Sequence, residues 1–191
     1  MYVQSIPPPL PNAKPQPLHV PASLAVPLVA VSDALGIAPI LTFADTVLWN
    51  WGLKDPDLPI SPDNLRCKTT FSGTPDEENF YVCCASVELR GVEALRIILD
   101  YQNMASLHDE DAIEKVTDGL GRLAQVIGEL KDILRSVRNN CEPHVFYFGI
   151  RPWFRGSDAD GAESPGWIYD GVENTRQLEL SGPSAGQSSL M

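Results

Sequence analysis

The chain has 191 residues, with 14 lysine and arginine residues against 25 aspartate and glutamate residues and a formal net charge of −11. This length allows one ordinary domain or one domain with an appendage, and 43% hydrophobic residues are enough for a buried core. The acidic excess excludes a nucleic-acid binder that depends on phosphate contacts, and it argues against an anionic membrane surface as a partner.

The N-terminal part of the chain predicts an extended arm followed by two short helices. Residues 1–27 contain eight prolines, which remove backbone donors and disfavour helix. We expect an extended arm there, either a plain tether or a ligand for a proline-binding module. Apolar residues predict a helix over 22–35 with Gly36 as its stop, and helical spacing predicts a second short helix over 42–53.

The middle of the chain is typical of a helical core. After a loop over 54–59 and a short strand over 67–71, a long helix is predicted from Asp76 to about Met104. Residues 109–138 have the clearest pattern, because apolar side chains recur at steps of three and four and charged side chains fill the other face. These apolar positions are Ile113, Val116, Leu120, Leu123, Ile127, Leu130, Leu134 and Val137.

The last part of the chain predicts one more helix and a long loop. The helix begins at Pro143, carries an aromatic run and ends near Arg151 and Pro152. The remaining 40 or so residues are rich in glycine and indicate an irregular excursion of the kind that is often functional. The predicted fold class is therefore mainly α-helical.

Cysteine spacing and apolar runs indicate the compartment. The absence of a Cys-x-x-Cys pair favours free thiols in a reducing cytosol over a disulfide framework for Cys67, Cys83, Cys84 and Cys141. The first residues have no signal-peptide pattern, and the longest apolar stretch, residues 24–31, is far too short to span a bilayer. We expect a soluble cytoplasmic protein with neither nucleic acid nor membrane as a partner.

Sequence spacing alone predicts no catalytic base and no metal site, because His19, His108 and His144 have no local companions. Arg151 is more informative, since a guanidinium beside aromatic rings suits the carboxylate and ring of an aromatic amino acid. The alternative is that Arg151 caps a helix C-terminus. The small and hydroxyl-bearing residues over 182–189 fit either close approach of a flat ligand or a flexible surface loop.

Four segments, in order along the chain, resemble the indoleamine 2,3-dioxygenase family, the haem enzymes that open the indole ring of tryptophan. Residues 39–56 look like the end of the family's small domain, and residues 80–88 look like its first distal haem-pocket helix. Residues 146–156 look like the substrate-binding helix, and residues 184–189 look like the loop over the pocket. The resemblance implies a mainly α, helical haem-dioxygenase fold.

The resemblance also implies roles for individual residues. Phe146 and Tyr147 would pack on the indole ring, and Arg151 would hold the substrate carboxylate. The other implied substrate-binding residues are Phe80, Phe43, Thr46, Val47, Ser184 and Ala185, and the implied haem contacts are Cys84, Ser184 and Ala185. Ferrous haem b would bind O₂, which adds across the indole C2–C3 bond of tryptophan or a related indoleamine and yields N-formylkynurenine, the reaction of the kynurenine pathway.

Three departures from the family pattern stand out. Cys84 takes the place of a serine that is usual in the animal enzymes, and Pro183 replaces a glycine of the loop. The family's proximal histidine lies well downstream of the matching loop, so the resemblance implies that its equivalent lies outside the 191 residues, as does part of the small domain. We therefore expect a truncated haem domain that does not turn over tryptophan alone.

The predicted organisation has three parts, namely a proline-rich arm over 1–21, a remnant of the small helical domain with its connecting segment over 22–75, and the distal half of the large haem-binding domain over 76–191. The alternative to an enzyme is a non-catalytic helical scaffold or interaction protein that retains a pocket for an indole or aromatic amino acid.

Overall fold

The computed structural model describes residues 16–104, 109–159, 165–173 and 180–190, and helices dominate these ranges. The mainly α-helical prediction is therefore confirmed. The described residues form two compact units. The first unit consists of the described residues up to Trp49 and from His144 to Gln187, and the second contains those from Asn50 to Pro143 and from Ser188 onward. Most of the predicted proline-rich arm, residues 1–15, lies outside the described residues.

The first unit joins distant parts of the chain through a small parallel sheet. Strand β1 (Leu18–Val20) pairs with β4 (Trp167–Tyr169), and α1 (Ala22–Leu35) follows β1 directly. A small core forms where Val20, Ala25 and Tyr169 pack together, and the Tyr169 hydroxyl donates to the backbone oxygen of Pro39 at 2.6 Å.

The sequence prediction for this region is partly confirmed. The helix over 22–35 ends at Gly36, whose φ of 67° is the left-handed conformation that glycine tolerates best. Pro27 lies inside α1, so the extended prediction for residues up to 27 is wrong at its C-terminal end. Strand β4 lies in the stretch that was predicted to be wholly irregular. Its three residues are too few to give a strand pattern in the sequence, and they form a strand by pairing with β1.

Two short π-helical segments complete the first unit. The first π segment spans Ala44–Leu48, and the second π segment spans Phe146–Ile150. A single α-helical turn, Pro143–Val145, precedes the second π segment, and a 3₁₀ turn, Arg151–Phe154, follows it. The predicted helix over 42–53 is therefore wrong beyond residue 48, where strand β2 (Trp51–Leu53) begins the second unit.

The second unit begins with a hairpin whose loop is fixed by one buried side chain. Strand β2 pairs antiparallel with β3 (Leu65–Cys67), so the strand predicted over 67–71 begins two residues earlier and ends four residues earlier. The Asn64 side chain accepts from the backbone N–H of Asp55 at 2.9 Å and donates to the backbone oxygens of Asp55, Leu58 and Pro59. These bonds replace the backbone pairing that the long loop lacks.

Two long helices form most of the second unit. Helix α2 spans Pro75–Gln102 and α3 spans Glu110–Asn140, within two or three residues of the predicted bounds. The hydroxyl of Thr74 accepts from the N–H of Glu77, and a carboxylate oxygen of Asp109 accepts from the N–H of Ala112, so each helix begins with a side-chain cap. No helix in the described part of the chain is long and apolar enough to cross a lipid bilayer.

The two helices run antiparallel and are joined at both ends and in the middle. The Asn79 side chain donates to the backbone oxygen of Asn140, and the Cys83 thiol donates to the backbone oxygen of Ile133. Further along, Arg90 pairs with Glu129, and Gly119 faces Ile97. The pairing buries an apolar seam and leaves the remaining faces of both helices at the surface.

Candidate substrate-binding site

The second π segment carries two of the predicted substrate residues, Phe146 and Tyr147, and Arg151 follows directly as the first residue of the 3₁₀ turn. Pro152 cannot donate a backbone hydrogen bond, and the helix turns from π to 3₁₀ geometry just before it. The indole N–H of Trp153 donates to the backbone oxygen of Gly149 at 2.9 Å, which fixes this irregular end. A widened turn of this kind is frequent at functional sites because it displaces side chains from the regular helical positions.

Arg151 and Tyr147 form one exposed pair at the end of this segment. The guanidinium carbon of Arg151 lies 5.3 Å from the centre of the Tyr147 ring, within the range of a cation–π contact. Tyr147 is 54% exposed, and its ring edge also meets Phe148 at a centroid distance of 4.9 Å. The pair thus presents a positive charge and an aromatic surface side by side to solvent.

Phe146 has a different position from its neighbour. It is half-buried, and its ring packs edge-on against Phe154 at 6.3 Å, while Ile150 is fully buried. Only part of the Phe146 ring is therefore open to a ligand, and Tyr147 offers the larger exposed aromatic surface.

The first π segment holds three further predicted residues in the interior of the first unit. Phe43, Thr46 and Val47 are all buried, and the Thr46 hydroxyl donates to the backbone oxygen of Thr42 at 3.1 Å. The segment begins with a reciprocal cap that the sequence reading missed, in which the Asp45 carboxylate accepts from the N–H and hydroxyl of Thr42. Phe43, Thr46 and Val47 thus form a buried wall and offer no open surface.

The loop that carries Ser184 and Ala185 is fixed to this wall. Ala185–Gln187 form one 3₁₀ turn, and the Ser184 hydroxyl accepts from the N–H of Gly186 at 3.2 Å. The side-chain oxygen of Gln187 accepts from the N–H of Phe43 at 2.7 Å. Ser184 and Ala185 are themselves exposed, so the loop is anchored by Gln187 while these two residues stay open to a ligand.

The start of the same loop is anchored by a close backbone approach. The N–H of Ser157 donates to the backbone oxygen of Leu180 at 2.8 Å, and the Ser157 hydroxyl accepts from the N–H of Leu180. A Cβ on Gly182 would lie 1.9 Å from the backbone oxygen of Phe154, so only glycine fits there. The loop is therefore tied down on both sides of Ser184.

Phe80 and Cys84, the remaining predicted pocket residues, belong to α2 in the second unit. Phe80 is half-buried and contacts the ring of Tyr81 at 5.8 Å. Burial raises the pKa of the Cys84 thiol to about 12, with the charges of Cys83 and Glu88 adding to the effect. This thiol remains protonated at neutral pH and offers a weak S–H donor. All four cysteines are free, as predicted.

The histidines are engaged elsewhere or lie outside the described ranges. His19 Nδ1 lies 2.9 Å from a carboxylate oxygen of Asp170, beside the β1–β4 sheet. The His144 ring packs against Phe148 in a tilted arrangement with a centroid distance of 4.7 Å, and His108 lies outside the described residues. Over the described ranges, no group of three or more His, Cys, Asp or Glu side chains is arranged to hold a metal ion.

Comparison with known protein families gives one result that covers the whole chain. Residues 1–191 match the family model described as indoleamine 2,3-dioxygenase. The chain is similar to indoleamine 2,3-dioxygenase 1 of Rattus norvegicus, with 32% identity over 90% of the chain and 41% of the relative, and to indoleamine 2,3-dioxygenase 2 of Homo sapiens, with 33% identity over 92% of the chain and 42% of the relative.

A further relative has a different name. The chain is 31% identical to the myoglobin of Haliotis madaka, over 91% of the chain and 43% of that protein. The chain spans about two fifths of the length of these curated relatives.

Proposed function

Because the chain belongs to the indoleamine 2,3-dioxygenase family, we propose that its first unit binds tryptophan or a related indoleamine in a haem-dependent dioxygenase that forms N-formylkynurenine. The observation that carries this proposal is the exposed pair of Arg151 and Tyr147. A bidentate guanidinium is the side chain best suited to a carboxylate, and an adjacent aromatic ring suits an indole.

The neighbouring segments support this role by their rigidity. Phe43, Thr46 and Val47 form a packed wall, and Gln187 fixes the loop of Ser184 and Ala185 to it. The Ser184 hydroxyl supplies a polar atom for the substrate amine. A bound substrate is held in one orientation when the side chains around it stay in place. The packing of these segments therefore supports binding in one pose.

In this proposal the described residues form one face of a haem site, and the axial ligand comes from outside them. Small, open residues over 184–186 and the aromatic second π segment suit the substrate side of a flat macrocycle. The resemblance places the family's axial histidine downstream of the matching loop, so neither His19, beside Asp170, nor His144, beside Phe148, is proposed as the iron ligand. When bound, haem supplies the dioxygen chemistry, and the residues of this chain bind the substrate, orient it and exclude water.

Tryptophan binding by the 191-residue chain tests the proposal directly. Calorimetric titration with L-tryptophan and with tryptamine, which lacks the carboxylate, separates recognition of the acid from recognition of the ring. We expect Arg151→Gln to weaken tryptophan binding roughly tenfold or more and to remove the preference over tryptamine, because the charge-assisted contact is lost. Arg155→Gln is the matched control, since it removes the same charge four residues away. Equal affinities for tryptophan in the two variants would contradict the proposal.

Turnover is a separate question from binding. We expect the 191-residue chain, supplied with haem, to give no N-formylkynurenine, because the axial histidine implied by the resemblance lies outside these residues. Formation of that product by the purified chain would show that another group ligates the iron.

The similarity to a protein named myoglobin supports a second candidate, reversible oxygen binding without turnover. In that case the second π segment serves only as packing, and Arg151 has no substrate to hold. Tryptophan titration distinguishes the candidates, because an oxygen carrier gives no saturable tryptophan signal that depends on Arg151.

A further inference from the structure

The residues that follow the loop of Ser184 are docked on helix α2. The Ser188 hydroxyl donates to a carboxylate oxygen of Glu88 at 2.5 Å, although the two residues are 100 positions apart in sequence. The same hydroxyl accepts from the backbone N–H of Leu190 at 3.0 Å. Ser188 thus closes a short turn onto its own backbone and spends its single donor on the helix.

A glycine of α2 receives the Leu190 side chain. Gly91 is buried, and a Cβ at this position would lie less than 3.0 Å from the Cγ and both Cδ atoms of Leu190. Glycine inside a helix costs stability relative to alanine, and here the missing side chain leaves the space that Leu190 fills. Because Glu88 and Gly91 are three residues apart, one turn of α2 holds residues 188–190 by a polar and an apolar contact together.

The docking residues share one side of α2 with the two pocket residues that the family resemblance implies. Phe80, Cys84, Glu88 and Gly91 follow one another at steps of four, four and three, which is the spacing of one helix face. The α2 residues that bond to α3 lie on another side of the helix, and they are Asn79, Cys83 and Arg90. The docked segment therefore lies along the predicted pocket face of α2 and does not compete with α3.

We propose that Glu88 and Gly91 form a docking site for residues 188–190 and that this site positions the loop of Ser184. Docking restricts the backbone that follows the loop, because one hydrogen bond and one apolar contact hold the same short segment. The consequence for substrate orientation rests on the proposed function, in which the Ser184 hydroxyl meets the substrate amine. The docked residues are thus positioning residues, and none of them is required to touch the substrate.

Amide hydrogen exchange in the full chain, measured by NMR without any ligand, tests the docking. The N–H of Leu190 reports on the docked segment, and the N–H of Gln187, which donates to the backbone oxygen of Ser184 at 2.9 Å, reports on the loop. We expect Gly91→Ala to make both exchange about tenfold faster, because the new Cβ displaces the Leu190 side chain. We expect Ser188→Ala to have the same effect on Gln187, and Ser188→Thr, which keeps the hydroxyl, to behave as the wild type.

Matched controls separate docking from stability in general. Gly121→Ala makes the same change in α3, where a Cβ meets no atom within 4 Å, and Ser189→Ala removes the neighbouring, exposed hydroxyl, so neither should alter Gln187 exchange. Alanine favours a helix more than glycine does, so faster exchange in Gly91→Ala cannot come from a weaker α2. Unchanged Gln187 exchange in both docking variants would overturn the proposal, because the loop would then be held by its other contacts alone.

Titration with two ligands tests the consequence for substrate orientation. Indole-3-propionic acid has the ring and carboxylate of L-tryptophan but lacks its amine. We expect Gly91→Ala to weaken tryptophan binding about three- to tenfold and to leave the affinity for indole-3-propionate unchanged, because only the amine contact depends on the placement of Ser184. An equal loss for both ligands would contradict the positioning role. A wild-type chain that binds neither ligand would refute the proposed function, whereas the exchange measurement decides the docking in either case.

Discussion

The backbone N–H of Phe43 donates to the side-chain oxygen of Gln187 at 2.7 Å, across 144 positions of sequence. Phe43 stands immediately before the first π segment, where backbone donors have no partner within the helix. The Gln187 side chain thus supplies the acceptor that the Phe43 N–H needs, and it holds the loop of Ser184 against the buried first π segment.

Replacement of Gln187 by alanine should expose this backbone donor. The Phe43 N–H loses its acceptor, and we expect its hydrogen exchange to become about tenfold faster, which corresponds to about 1.4 kcal/mol of local opening free energy. Amide exchange measured by NMR checks this. Gln187→Glu retains an acceptor oxygen and serves as the control, while unchanged Phe43 exchange in Gln187→Ala would show that the loop is held by other contacts.

Substitution of Gly182 should be far less tolerated than substitution of a helical glycine with free space. A Cβ at position 182 meets the Phe154 backbone oxygen, which cannot move away as a flexible side chain can. We expect Gly182→Ala to lower the free energy of unfolding by about 1–3 kcal/mol, and Gly121→Ala to raise it by up to about 1 kcal/mol. Urea unfolding of dilute protein measures both, and a neutral Gly182→Ala variant would be inconsistent with the close approach.

Acid should weaken the pairing of α2 with α3. Hydrogen bonds from Arg90 lower the pKa of Glu93 and of Glu129, and Arg122 adds a further ion pair to Glu93. The folded-state pKa lies below the unfolded value of 4.5, so this stabilisation is present above pH 4.5 and disappears as the pH falls through the folded values. Thermal unfolding between pH 7 and 3 should show a smaller loss in Glu93→Gln, and an identical profile would refute this assignment.

Raising the pH should also lower the free energy of unfolding, through the buried thiols of Cys67 and Cys84. Burial is the main cause that raises the pKa of Cys67 and of Cys84 from 9.0 to about 12, and nearby charges add to it. The thiolate fraction at pH 8 is then about a thousandfold smaller than in the unfolded chain, so alkylation of both residues by iodoacetamide should be slower by a similar factor. The folded state also loses stability between pH 9 and pH 12, as the unfolded thiols ionise first.

Peptide mapping after alkylation reports each thiol separately. The same chain in urea is the control for intrinsic reactivity. Rapid modification of Cys84 in the native protein at pH 8 would mean that the thiol reaches solvent more freely than its packing on α2 indicates.

The long helices were predictable because their signals are local. The acidic first turn after Thr74 and Pro75 marks the start of α2, and the three-and-four repeat from Ile113 to Val137 marks α3. Gly36 ends α1 for an equally local reason, its left-handed conformation. Each of these features depends on residues within one or two helical turns.

The missed features depend on partners far away in sequence. Strand β4 has three residues and exists because β1 pairs with it, and Gln187 is one polar residue among many until Phe43 is placed beside it. The second π segment ends where Pro152 has no N–H to continue the helix, and the N–H of Arg151 bonds the backbone oxygen of Phe146 five residues earlier. The roles of the site residues in substrate binding, including Phe80 and Cys84, remain predictions.

The β1–β4 sheet also has a consequence for how the chain is made. His19 contacts Asp170, 151 positions later, and the same sheet pairs Val20 with Tyr169. During translation, β1 leaves the ribosome long before its only described strand partner exists, whereas α2 and α3 are adjacent in the chain and can pair as soon as α3 emerges. At roughly 5–20 residues per second, the N-terminal strand waits several seconds or more with an unpaired edge. We therefore expect α2 and α3 to pair on the ribosome before β1 and β4 do, because their contacts span far fewer residues of sequence.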